Sequence, residues 1–294
     1  MGFRTLIVKS RVKLELRLNY LVVRGEVEKK VYLSEINTVI IQSTAVSMTA
    51  ALLNELAKNN IKVIFCDEKC SPSAELMPYY GAHNTSKRCK IQIGWKKEVK
   101  DKVWQVLITR KISEQSRLLQ IFGHTEEAEM LSRYADQVER GDRTNREGHA
   151  AKVYFNAILA EGTSRRDQNF VNGCLNYGYA VLLSAFNREV VAAGYLTQFG
   201  IWHDNEFNSF NLSCDLMEPF RPYVDYLALR MQEDDPEFKR KLADLLNYSV
   251  VIEGQKTTMD LAIRRFCTSV FRALAEDLPE EIPFVEQIEW KDES

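Results

Sequence analysis

The chain has 294 residues, a formal net charge of −2 and 45% hydrophobic residues, enough for a sizeable core in one large or two compact domains. Its apolar runs fall far short of the roughly 18 residues that span a bilayer, and charges interrupt the N-terminus too often for a signal peptide. A cytoplasmic protein with no membrane partner is expected.

The near-neutral average hides an asymmetry. Lys87 to Lys111 holds nine Lys or Arg (87, 88, 90, 96, 97, 100, 102, 110 and 111) against Glu98 and Asp101. From Glu276 onward, eight acids (276, 277, 280, 281, 286, 289, 292 and 293) face Lys291 alone. Local basic patches, not net charge, hold phosphates. A solvated helix face accounts for such a run equally well. Six cysteines are scattered and read as reduced thiols, with a zinc site from Cys66, Cys70, His83 and Cys89 as the alternative.

The first segment alternates with period two. Thr5 to Val8, Leu14–Leu16–Leu18, Tyr20 to Arg24, Glu28 to Tyr32 and Thr38 to Ile41 read as strands, with a turn at Gly25. Ser47 to Asn59 switches to helical spacing, and Lys62 to Cys66 is a short buried strand. Residues 67 to 95 read as a loop, rich in Pro, Gly and polar residues. Tyr79 and Tyr80 lie there beside a basic cluster, where aromatics either pack or stack on bases.

From Lys96 the pattern is helical. Val103, Trp104, Leu107, Ile108, Ile112, Leu118, Leu119 and Phe122 form one stripe. Glu126 to Glu139 is a shorter helix, and Asn145 caps the next. Asn169 to Ala193 is apolar on most sides and belongs inside a bundle. Further helices cover Tyr223 to Met231 and Asp234 to Tyr248, and Thr257 caps the last. The acidic tail after Pro279 is expected to be loosely held. The expected fold is α+β: a small β-rich domain over 1–67, a linker over 68–95, and an all-helical domain over 96–294.

The stretch with most chemistry is Gly200 to Pro222, GIWHDNEFNSFNLSCDLMEPFRP. His203 sits on a turn-like run. Asp215 and Glu218 follow three residues apart within apolar surroundings, so a helix would project both carboxylates together. Oxygen donors with one imidazole suit Mg²⁺ or Mn²⁺ better than zinc. An acid pair near a helix start also offsets the helix dipole, and Glu147, in the first turn of its own helix, is open to the same explanation.

The phrases NREGHAAKVYF, GIWHDNEFNSF and DLMEPFRPYVD, in that order and with CLNYGYAVL between the first two, resemble the CRISPR-associated integrase of spacer acquisition, the first Cas protein, of a type II system. The resemblance extends along nearly the whole chain. It implies a catalytic metal site of Glu147, His203 and Glu218, with Asp215 as an additional metal-site acid, and Mg²⁺ or Mn²⁺ as cofactor. It implies insertion of foreign DNA into a CRISPR array by 3′-hydroxyl transesterification, with DNA cleavage when water is the nucleophile. The implied partners are double-stranded DNA, a second copy in a homodimer, and a dimer of the second Cas protein in a heterohexamer. A type II effector nuclease and an accessory adaptation protein complete the set. Lys87, Arg88, Lys90, Arg143, Arg146, Arg165, Arg166 and Arg221 are the candidate DNA contacts. Two rival functions stay open: a non-catalytic DNA-binding scaffold of the same assembly, and a small-molecule metal hydrolase, for which no HExxH motif exists.

Overall fold

The computed structural model describes residues 4–78 and 81–290; residues 1–3, Tyr79, Tyr80 and the last four residues lie outside it. The N-terminal part holds β1 (Arg4–Val8), β2 (Lys13–Arg17), β3 (Tyr20–Arg24), β4 (Lys29–Tyr32), β5 (Ile36–Ile41), β6 (Ser47–Met48), α1 (Ala50–Lys58), β7 (Lys62–Cys66) and β8 (Pro72–Leu76). They make two four-stranded sheets, ordered β1-β5-β7-β8 and β4-β3-β2-β6. In the first, β1, β5 and β7 run parallel and β8 antiparallel.

Strand β5 reads INTVII without alternation because both its faces are covered. Val39 and Ile41 point into the small N-terminal core, which α1 closes with Leu52 and Leu56. Ile40 and Ile64 point the other way, into the core of the helical part. Leu18 departs from the expected strand: it is 92% exposed and, with Asn19, has positive φ in the turn joining β2 to β3.

The segment read as a loop over 67–95 is structured. Strand β8 extends the first sheet, and a helix, α2, covers Thr85–Ile93. Proline at the start of β8 is tolerated because β8 is an edge strand. Next come α3 (Lys97–Ile121), α4 (Thr125–Asp136), α5 (Arg146–Ile158), α6 (Phe170–Ala192), α7 (Asn211–Met217), α8 (Arg221–Arg230) and α9 (Phe238–Ala243). Helix α6 is buried along most of its length and packs on α7, α8, α9 and the following α10 (Met259–Glu276), as well as on β7 and β8.

The C-terminal part is not all-helical. Strands β9 (Ser249–Ile252), β10 (Gln255–Thr258) and β11 (Val285–Ile288) form an antiparallel sheet ordered β10-β9-β11. Thr257, the expected helix cap, pairs in β10; its neighbour Thr258 caps α10 by accepting from Leu261 N–H. The tail is anchored as far as it is described, for β11 completes that sheet and Trp290 stacks on Tyr226 at 3.8 Å. Four-residue strands and a two-residue turn give too little periodicity to compete with the helical patterns around them.

A buried polar seam joins the two parts. Arg188 of α6 pairs with Asp260 of α10 and Glu189, and donates to Asn37 of β5. Asn37 also donates to Asp260. Beside it, Lys62 of β7 pairs with Glu75 of β8, which accepts from Asn187 of α6 at 2.9 Å. Removing one partner of such a buried set leaves opposite charges unpaired. Arg188→Met should therefore lower unfolding stability by about 3–5 kcal/mol, measured by chemical denaturation.

Candidate metal and DNA-processing site

Four segments converge at the C-terminal part. The first is the middle of α3, where Lys111 interrupts the apolar stripe. It belongs to the basic run, yet it is only 7% exposed. Its Nζ lies 2.6 Å from Glu147 Oε1 and 2.6 Å from Glu218 Oε2.

The second is the start of α5. Asn145, in the left-handed region at φ 52°, accepts from Gly148 N–H at 3.3 Å. A Cβ on Gly148 would lie 2.7 Å from that cap amide, so the small residue serves the cap. Buried Asp142 accepts from Arg146 and Glu147 N–H at 2.7 and 3.0 Å. The helix start is thus satisfied by Asp142 and Asn145. Glu147 is not used as a cap, and its carboxylate crosses to α3.

The third is the turn from α7 into α8, a short 3₁₀ turn over Glu218–Phe220 that Pro219 suits. It puts Glu218 inside, at 3% exposure. Glu218 Oε1 accepts from Arg221 Nε at 2.9 Å. Its Oε2 faces the Lys111 ammonium as an ion pair but accepts no directed hydrogen bond. Burial pushes the Glu218 carboxyl up, but Arg221 and Lys111 outweigh it and hold the group below its ordinary value. For Lys111, burial favours the neutral amine, yet Glu218 and Glu147 together raise its pKa.

The fourth carries His203. Gln92 of α2 pins the approach by donating to the carbonyls of Leu196 and Phe199 and accepting from Leu196 N–H at 2.9 Å. A Cβ on Gly200 would meet Asp215 Oδ2 at 2.7 Å and crowd the His203 carbonyl more closely still. Trp202 stacks on Trp104 of α3 at 5.7 Å, and the Trp104 ring meets the imidazole edge-on.

Asp215, the expected additional acid, is engaged by the His203 loop. It is fully buried. Its Oδ2 accepts from Ile201 and Trp202 N–H at 2.6 and 2.8 Å, and its Oδ1 takes His203 Nδ1 and the His203 N–H. Both oxygens are thus committed to the His203 loop, so Asp215 and Glu218 do not act on one point. Burial raises the Asp215 carboxyl, against the pull of those donors. The Asp215 hydrogen bond in turn raises the His203 pKa above 6.5; burial opposes this, and Glu218 and Glu147 add to it. With Nδ1 taken by Asp215, Nε2 is the ring nitrogen left for a ligand. Glu147, Glu218 and His203 thus share one electrostatic neighbourhood.

Among the described residues, no three His, Cys, Asp or Glu close into a metal cage by themselves. That applies also to Cys66, Cys70, His83 and Cys89, so the zinc alternative has no support in the fold. The Glu147–Glu218 donor set still fits a hard divalent cation. Both carboxylates already reach one positive atom, and a buried Glu218 oxygen lacks a directed donor.

The basic residues separate into two groups. Lys87 and Lys90 lie exposed three apart on α2, while Arg88 folds back over Tyr195 at 5.7 Å. Arg143 and Arg166 are exposed. Arg146 covers the Tyr134 ring, and Arg165 donates to Asn172 and Asn176. Arg221 pairs with Glu218 and lies 4.7 Å from the centroid of Tyr179. Beside His203 opens a cleft of about 570 Å³ whose lining includes Lys97, Lys100, Phe199 and the half-exposed Trp202.

Sequence reasoning missed Lys111, Asp142 and Gln92. Asp142 had a legible signal, an acid three residues before the capping Asn145. Lys111 had one too, its place on the apolar stripe beside Leu107 and Ile108, but Gln92 had none, since only the packed fold shows what it faces.

The profile described as CRISPR associated protein Cas1 matches residues 6–241. The CRISPR-associated endonuclease Cas1 of Neisseria meningitidis serogroup C (strain 8013) is 33% identical over 301 positions, covering 97% of this chain and 99% of that protein. A casposase bound to integration product has TM-score 0.76 at 17% identity, over 99% of this chain and 96% of its own. A Cas6-RT-Cas1–Cas2 complex has TM-score 0.72 at 18% identity, over 100% of this chain and 36% of the matched one. At such identities the structural matches report fold alone; the sequence matches establish that this chain belongs to the Cas1 family.

Proposed function

We propose that this protein is a metal-dependent DNA integrase and endonuclease that inserts foreign DNA into a CRISPR array as new spacers. One observation carries the reading: Glu147 and Glu218, from distant segments, meet at a single cationic atom beside His203. Family membership supports the CRISPR setting, and a fold shared with a casposase bound to integration product supports strand transfer.

Glu147, Glu218 and His203 Nε2 would hold the ion. A bound Mg²⁺ or Mn²⁺ supplies Lewis-acid chemistry, activating an attacking hydroxyl and stabilising the departing oxygen of an in-line displacement. The chain's own groups prepare that site. Asp215 fixes the imidazole tautomer and orientation. Arg221 holds Glu218 in place and is itself held against Tyr179. In the transfer, a DNA 3′-hydroxyl oxygen bonds to phosphorus, one phosphodiester P–O bond breaks, and the departing oxygen ends as a new 3′-hydroxyl. Water in place of the 3′-hydroxyl gives cleavage.

The cleft beside His203 is lined by Lys97 and Lys100, by Asp101 and Asp204, and by the Trp202 indole, whose face suits base stacking. Exposed Lys87, Lys90, Arg143 and Arg166 are the proposed phosphate contacts, and the engaged Arg88, Arg146, Arg165 and Arg221 act mainly through packing and pairing. Double-stranded DNA, a homodimer and a dimer of the second Cas protein are the proposed partners; a Cas1–Cas2 complex among the structural matches supports the last. A type II effector nuclease and accessory adaptation protein belong to the same proposal.

Glu147→Gln, Glu218→Gln and His203→Ala should each reduce strand transfer by at least about 100-fold while thermal unfolding stays cooperative, and a chelator should abolish it reversibly. Transfer that persists in chelator would return the scaffold reading.

The His203 titration gives a signed expectation. Its pKa is raised, so stabilisation by the charged His203–Asp215 pair is complete below about 6.5 and fades as pH rises through the folded value. Metal binding requires the neutral ring, so activity should rise over that same interval. Asp215→Asn should move the NMR midpoint of His203 back toward 6.5 and cost about 10–100-fold in activity. For DNA affinity, log K should fall linearly with log salt, and the Lys87→Ala/Lys90→Ala pair should flatten the slope by about 1–2.

A further inference from the structure

We infer that Lys111 is the resident cation of the Glu147–Glu218 pair, and that a divalent ion enters by exchange with its ammonium. The inference rests on the functional reading above and concerns what this chain does before the ion arrives.

Position is the first argument. Lys111 Nζ is 2.6 Å from an oxygen of each glutamate. An ion bridging those same oxygens needs the space the ammonium fills, and two cations at that separation repel strongly. The described residues contain no ready cage into which a metal could drop alongside it.

Charge is the second. Lys111 supplies one positive charge to the two glutamates it touches, so its withdrawal leaves that pair one charge more negative and favours a divalent ion in its place.

Mobility is the third. Arg221 is fixed by Glu218 on one side and the Tyr179 ring on the other. Lys111 has a four-carbon stem and a rotatable ammonium, and no ring contact holds its end among those described. Arg221 is the permanent counterion and Lys111 the replaceable one. The ammonium thereby relieves the repulsion between buried Glu218 and half-buried Glu147, at the expense of metal affinity.

The test is Mn²⁺ binding by the full chain, read by electron paramagnetic resonance at fixed pH and ionic strength. Lys111→Met should bind Mn²⁺ about tenfold more tightly than wild type, and Lys111→Arg no more tightly. Glu147→Gln should abolish the gain. In chelator, Lys111→Met should melt below wild type, and Mn²⁺ should close that gap. If Lys111→Met does not fold, Lys111→Gln, an uncharged donor, carries the same expectation. Equal or weaker binding by the uncharged variant, with wild-type binding intact and dependent on Glu147, overturns the inference and leaves the functional reading standing. Binding by neither protein, or binding indifferent to Glu147→Gln in both, overturns both.

Discussion

The site depends on how two neighbouring carboxylates, buried Glu218 and half-buried Glu147, tolerate one another. Glu147 Oε1 and Glu218 Oε2 each lie 2.6 Å from Lys111 Nζ and so are at most about 5.2 Å apart. At an effective dielectric of 20, bare charges at about 5 Å repel by about 3 kcal/mol. A cation between them, whether ammonium or metal, relieves that repulsion. Helix α3 runs through the helical part with that ammonium at mid-length, and α5 and the α7–α8 turn present their acids to it.

Around this pair the protein arranges rigid supports of two kinds. Asp215 accepts from three backbone N–H groups and bonds the imidazole, so the His203 loop is held by a fully buried acid. Arg221 is placed by a second buried network, in which Tyr154 and Tyr179 both donate to Asp225 and Tyr179 lies under the guanidinium. Burial pushes Asp225 up to about 6, with the two phenols pulling against it. The helices thus fix the chemistry through hydrogen bonds that lie one residue away from it.

The polar seam at Arg188, Asp260 and Asn37 has a different task. It ties β5 to α6 and α10, and the sheet β1-β5-β7-β8 becomes a shared wall, with one face in each core. The candidate site lies wholly in the C-terminal part, so the seam acts on it only by fixing the N-terminal sheets relative to α6.

Much of this was legible in the chain itself. Period-two alternation located most N-terminal strands, the apolar stripes located the long helices, and the phrases around Glu147, His203 and Glu218 identified the candidate ligands. These signals are local: each depends on residues a few positions apart meeting one environment. Where local patterns are short they failed, as at β8, at the three C-terminal strands and at Leu18 in its turn. Only tertiary structure decided that Asp215 hydrogen-bonds the imidazole and its loop, and that Lys111 leaves the basic surface to sit between two acids. Those facts hinge on which side chains from distant segments share a buried volume. Burial then converts an ordinary lysine into a counterion, because a charge removed from water must find its partner within reach.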